Sequence, residues 1–308
     1  MEYTINPHFS INQSLKKMKS GDVLILEDGV YHEKVEIWIP NIKIKSKHPL
    51  KAIISNKDYY HKIMEDYNEC NTFNTFTVYV GSDYVMLENI IIENKATPSE
   101  IYGQAVALHV DGTYFTCYKC IIKSAQDTLF TGPMPKDLLK RYEGFYSVNR
   151  LKGNPSKQIY SYCTIEGDVD FIFGSATALF KNCKIISLDR KNLDATYIAA
   201  PAHPKELPYG YLFHQCEFKG KNTPAYLARP WRDYGCAAFI DCCMGTHILS
   251  IGYNKWNNTD RDKTARFYEY TKNIDLSSRA PWAHILSKED SEEYLASFLK
   301  FIELDKFH

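Results

Sequence analysis

Hydrophobic residues in this chain come mostly in runs of three to five, separated by turn residues, and helical spacing is confined to the two ends. Near the start, Ile11, Leu15 and Met18 recur at helical intervals. Ser10-Ile11-Asn12-Gln13 before them has capping-box form, and Gly21 supplies a stop. Asp22–Leu26 then predicts a short strand and Asp28-Gly29 a turn. At the far end Ser287 is the expected N-cap of a helix whose apolar stripe is Tyr294, Leu295, Phe298, Leu299 and Ile302. That stripe predicts a helix packed on the body of the protein. Between these ends lie β-rich runs at Val35–Ile39, Ile42–Lys45, Phe76–Val80, Val85–Leu87, Ile90–Ile92, Ala105–Val110 and Cys120–Ile122.

Further along, a loose repeat appears. Phe180-Lys181-Asn182-Cys183-Lys184-Ile185 is echoed by Tyr160–Ile165, Phe213–Phe218 and Phe239–Met244. The shared form is an aromatic residue, two residues, then Cys, at intervals of roughly 20 to 33 residues, a period that signals a solenoid. The irregular interval fits a parallel β-helix, in which loops vary and the coil stays constant. The cysteines and aromatics are then expected to stack inside the coil as small and large fillers. No linker or low-complexity stretch divides the chain, so the reading is all-β, one domain over residues 1–308, with a short helix at each end.

Composition narrows the function classes. The 308 residues carry 37 Lys+Arg and 37 Asp+Glu, a formal net charge of zero. This excludes a globally basic nucleic-acid binder. The apolar runs are too short to span a membrane. There are nine Cys, an odd number, and the first residues lack the apolar core of a secretion signal. Reduced thiols and a cytoplasmic location are therefore expected. Cys117 and Cys120 form a lone CxxC without a second pair, which argues for core residues rather than zinc or redox ligands.

Two carboxylates stand in unusually apolar surroundings. Asp170 lies in Val169-Asp170-Phe171-Ile172-Phe173-Gly174 and Asp127 in Gln126-Asp127-Thr128-Leu129-Phe130. Burying such charges is costly unless they are paired. They are either structural, paired acids or a catalytic couple with one ionised and one protonated member. Gln126 and Gln104 add neutral amide donors of the kind that suits an oxyanion hole. Arg229, in Ala228-Arg229-Pro230-Trp231, is a cation able to fork onto a carboxylate. Trp231 and Phe173 are aromatic faces able to stack on a sugar, with core packing the alternative for Phe173.

In this ordered set the sequence resembles the pectin methylesterase (pectinesterase) family. The motifs are Gly29–Val35, Gln104–Leu108, Gln126–Leu129, Val169–Gly174 and Ala228–Trp231, followed by Gly252-Tyr253-Asn254-Lys255-Trp256 and Phe267-Tyr268-Glu269-Tyr270. The resemblance implies a right-handed parallel β-helix and hydrolysis of the C6 methyl ester of galacturonate, with release of methanol. It implies Asp170 as nucleophile and Asp127 as general acid and then base. Gln104 and Gln126 hold the oxyanion, and Arg229 orients Asp170. Trp231, Trp256 and Phe173 line the sugar subsites. No metal or organic cofactor is implied, and the partner is methyl-esterified homogalacturonan or its oligomers.

Three departures from the family pattern stand out. Ala228 replaces a Gly, and Tyr253 replaces the first Trp of Gly-Trp-x-x-Trp, which questions one aromatic contact. Asp127 and Asp170 are 43 positions apart, where plant-type relatives have about half that gap. The extra stretch, about residues 132–156, carries Lys136, Lys140, Arg141 and Lys152. It is either a solvated loop or a basic flap beside the cleft that binds free uronate carboxylates. The expected cytoplasmic location, resting on the first residues and the odd Cys count, suggests short imported oligogalacturonides as substrate. Glycoside hydrolysis, calcium-dependent lyase chemistry and non-catalytic glycan binding are the competing classes. The polygalacturonase signatures and a calcium-binding acidic cluster are absent from the sequence.

Overall fold

Every strand pairs in parallel with its counterpart one coil away, and the pairing generates three sheets of eleven, seven and eight strands. The fold is a right-handed parallel β-helix. The computed structural model describes residues 1–64, 68–141, 156–272 and 274–302.

The aromatic-x-x-Cys repeat is one corner of the coil. Tyr160, Phe180, Phe213 and Phe239 are register partners on neighbouring strands. Their rings stack at 4.9, 4.6 and 4.9 Å and lie within 11° of parallel. The stacking distance matches the separation of paired strands, so the ladder costs the backbone nothing. Two residues after each ring, the chain turns through a left-handed residue: Tyr162, Asn182, Gln215 and Asp241, with φ between 52° and 55°. The next residue is the buried Cys. Cys163, Cys183, Cys216 and Cys242 each direct the thiol at a main-chain carbonyl one coil back, at 3.2 to 3.3 Å. A thiol is small enough for the corner and is a weak donor for an inward carbonyl, which explains Cys at this place. Cys117 and Cys120 belong to the same buried core.

Both expected terminal helices form. Ile11–Leu15 is capped by Ser10, which accepts from the Gln13 amide. The Glu33 carboxylate also accepts from the Ile11 and Asn12 amides, at 2.7 and 3.1 Å. Tyr31 donates its hydroxyl to the carbonyls of Ile5 and Glu27. The Gly29–Val35 motif thus secures the first coil. Lys288–Ile302 forms the C-terminal helix, with Ser287 and Asp290 bonded reciprocally at its start. Its Phe298 and Ile302 cover the outer face of the eleven-stranded sheet at Ile159, Leu179, Leu212 and Ala238.

Residues 136–141 depart from the expected irregular loop. Lys136–Arg141 is a short helix, with the Pro135 carbonyl accepting from Leu138 and Leu139. Leu138 is buried against an outer aromatic cluster that includes Phe73, Phe130 and Phe173. The rest of the extra stretch, with Lys152, lies outside the described residues.

Candidate active site

Five adjacent strands of the seven-stranded sheet deliver the candidate residues to one cleft: Leu108–Val110, Leu129–Thr131, Val169–Gly174, Thr196–Pro201 and Ala225–Ala228. Gln104 and Gln126 precede the first two and are bridged in parallel register, so they project from matching positions on successive coils. Asp127 follows Gln126 with φ 62°. Asp170 has φ 49° and sits in a bulge: Val169 faces Tyr197 while Ile172 faces Ala199, three steps against two. Left-handed backbone at a residue other than glycine costs on the order of 1 kcal/mol, and Asp tolerates it better than most. The bulge re-aims the Asp170 side chain outward from a strand whose neighbours are buried. The strand ends at Gly174, φ 128°, where a Cβ would lie 2.1 Å from the Thr131 carbonyl oxygen. Only glycine fits there.

The two acids meet different partners. Asp170 accepts two hydrogen bonds from Arg229, Nε to Oδ1 at 2.8 Å and Nη2 to Oδ2 at 2.7 Å. The Arg229 guanidinium is sandwiched between the Tyr197 ring at 3.6 Å and the Trp256 ring at 4.1 Å. Asp127 is 8% exposed and has no ion-pair partner among the described residues. Its pKa is raised well above the ordinary carboxylate value, first by burial and then by the Asp170 charge; Arg229 opposes this and Asp168 adds to it. An acid whose pKa is pushed up and an acid paired with a guanidinium therefore share one cleft.

The cleft holds about 520 Å³ and is lined by Gln104, Gln126, Asp127, Asp170, Phe173, Arg229, Trp231 and Trp256. All eight site residues expected from the sequence are brought together. Phe173 is only 3% exposed and packs on Phe130 and Trp231, so it is largely core and offers one edge to the cleft. Tyr60, Thr72, Leu138, Arg141 and Arg232 complete the walls. Arg141 comes from the basic stretch singled out in the sequence, whereas the other four, and the Tyr197 ring under Arg229, carry no local sequence signal. Asp168, two positions before Asp170, is a third buried acid that the sequence reading missed; its place beside the same apolar run was the available signal. Its Oδ2 accepts from the Ser99 hydroxyl and its Oδ1 from the Val169 amide.

The pectinesterase family model matches residues 4–135 and 147–304. The chain belongs to the pectinesterase family. Among curated relatives, pectinesterase QRT1 of Arabidopsis thaliana is 28% identical over 286 residues, 87% of this chain and 66% of the relative. The probable pectinesterase/pectinesterase inhibitor 21 of Arabidopsis thaliana is 29% identical over 305 residues, 91% of this chain and 40% of the relative. The chain thus spans less than two thirds of either. Among solved structures, pectin methylesterase from Yersinia enterocolitica superposes with a TM-score of 0.75 at 24% identity, covering 92% of this chain and 96% of that one. Pectin methylesterase from carrot gives 0.75 at 20% identity, covering 98% and 95%. A pectin methylesterase in complex with a hexasaccharide gives 0.76 at 22%, covering 94% and 92%.

The departures from the pectinesterase pattern resolve against this frame. Ala228 is not at positive φ, so the family's Gly is dispensable there. Tyr253 does not face the cleft. It is 2% exposed in the main core and donates its hydroxyl to Glu269 at 2.8 Å. Glu269 in turn accepts a two-point fork from Arg279. The change to Tyr therefore removes no subsite contact. The helix Lys136–Arg141 falls in the segment that the pectinesterase model leaves unmatched. It is latched by Asp137, which accepts from Arg232 Nε at 3.1 Å and Nη2 at 2.6 Å. Leu138 and Arg141 face the cleft, while Lys136 lines a neighbouring cavity of about 550 Å³ with Pro133, Met134, Pro204 and Tyr234.

Proposed function

We propose that this chain hydrolyses the C6 methyl ester of galacturonate residues in pectin or its oligomers. The observation that carries the reading is the unlike pair in one cleft: Asp170 forked by Arg229, and Asp127 buried with a raised pKa. Asp170 as carboxylate attacks the C6 carbonyl carbon. The Gln104 and Gln126 amides donate to the oxyanion that forms. Collapse breaks the C6–O bond to the methoxy group, and Asp127 gives its proton to that oxygen, releasing methanol. The C6 carbonyl is then joined to Asp170 as an anhydride. Asp127, now ionised, takes a proton from water, which attacks the anhydride at C6. Free galacturonate leaves and Asp170 returns as carboxylate. Trp231, Trp256 and the edge of Phe173 are the sugar-facing surfaces.

Two finer assignments belong to the same proposal. The helix at Lys136–Arg141 walls the cleft and favours short methylated oligogalacturonides over long pectin. A reducing compartment is supported by nine free thiols, eight of them buried; fractionation of the source cells tests it. The activity test is methanol release from methylated pectin and from methylated tri- to hexagalacturonates, side by side. Methanol with unchanged chain length supports the esterase. Chain shortening, or an unsaturated product absorbing in the ultraviolet, overturns it.

A further inference from the structure

Behind the cleft floor lies an arginine that the ester-hydrolysis scheme leaves unused. Arg190 Nη1 donates to Gln126 Oε1 at 3.4 Å and stands 4.0 Å from Asp168 Oδ1. Its main-chain amide is held by the Thr223 hydroxyl at 3.1 Å, and the next amide, that of Lys191, by Glu100 at 3.0 Å. The main chain at Arg190 and Lys191 is thus tied to two separate loops of the coil. Arg190 Nε is buried and has no hydrogen-bond partner among the described residues. Leaving a charged donor unsatisfied is expensive, which argues against a role in stability alone.

A carboxamide is ambiguous by itself, because its oxygen and nitrogen ends are similar in shape. A guanidinium is not ambiguous, since it has donors and no acceptor. Next to Arg190 the Gln126 side chain can present only its oxygen. The NH₂ end is then turned away from Arg190, and Gln126 lines the cleft. We propose that Arg190, anchored by Asp168, is a positioning residue that locks the Gln126 amide in its donating orientation toward the reacting carbonyl. The Arg190 charge also polarises that amide through its oxygen, strengthening the N–H donors at the other end. Arg190 touches no substrate in this scheme. The inference rests on the esterase reading, and on Gln126 as oxyanion donor within it.

The test is a double-mutant cycle read by methanol release. Arg190→Met is expected to lower kcat by about 10-fold or more with KM nearly unchanged, because oxyanion contacts strengthen in the transition state. In a Gln126→Ala background the same change is expected to alter kcat by less than about 2-fold, since its target is gone. Arg190→Lys, which keeps the charge and loses the planar guanidinium, is expected to recover part of the loss. Equal losses in both backgrounds overturn the proposal, as does a rise in KM at constant kcat. Thermal melts of all five proteins identify any loss that comes from unfolding, and the Lys variant then carries the comparison. A wild-type protein that releases no methanol sinks the esterase reading; an active wild type with a normal Arg190→Met sinks only the relay.

Discussion

Arg229 grips Asp170 at two points, 2.8 and 2.7 Å, from strands two coils apart, and its own plane is clamped between Tyr197 and Trp256. The fork fixes both the direction and the charge partner of the proposed nucleophile. Arg229→Lys keeps a cation but offers a single point of contact, and is expected to lower kcat by about 100-fold. Arg229→Ala leaves Asp170 buried without its partner, which costs about 3–5 kcal/mol. A melting temperature equal to that of the wild type would contradict this.

Substitution of the acids separates their roles. Asp170→Asn removes the nucleophile and is expected to abolish turnover. Asp127→Asn keeps the shape and loses the proton relay, with an expected loss of about 10²- to 10⁴-fold. Near-normal methanol release from either variant would overturn the assignment.

Asp127 also makes stability depend on pH in a definite direction. Its folded pKa lies above the ordinary value of 3.8. The unfolded chain therefore loses this proton first as pH rises. The contribution of the neutral acid to stability is full below about 3.8 and is lost as pH climbs through the folded value. Asn at this position cannot ionise. The melting temperature of Asp127→Asn relative to wild type is expected to rise between pH 4 and pH 8; a flat difference counts against a raised pKa.

In the proposed mechanism the same group sets the alkaline limb of activity, because the first half-reaction needs Asp127 protonated. The charges acting on it are Asp170, Arg229 and Asp168. Asp168→Asn removes one of the two anions that raise its pKa, so the alkaline limb of kcat is expected to move to lower pH. A limb that stays in place would show that burial and Asp170 alone set it.

The wall helix offers Arg141 to the cleft. Arg141→Gln is expected to raise KM about 3- to 10-fold on partly demethylated oligomers, which carry free carboxylates. The change on fully methylated ones is expected to be small. The difference should shrink in high salt, as exposed charge interactions are screened. Equal KM values for wild type and variant on both substrates would return the helix to a purely structural role.

Much of the site was legible because its chemistry needs particular side chains in short, fixed settings. Asp127 and Asp170 stand out as acids in apolar runs, and Gln104, Gln126 and Arg229 as polar residues beside strands. The repeat of ring and thiol likewise announces a coil, since one strand separation is also a good stacking distance for rings. Leu138, Arg190 and Tyr197 were not legible, because what each does depends on a partner from another coil or loop.

The sequence by itself determined the solenoid and the terminal helices and marked out the candidate acids, amides and arginine, all of which follow from local pattern and side-chain chemistry. Only the tertiary structure decided which acid is paired and which is buried without a cation of its own, that Tyr253 faces the core, and that Lys136–Arg141 walls the cleft. Those outcomes depend on burial and on distances between residues 16 to 95 positions apart in the chain, and in a solenoid such distances are set by how loops of unequal length bring successive coils into register.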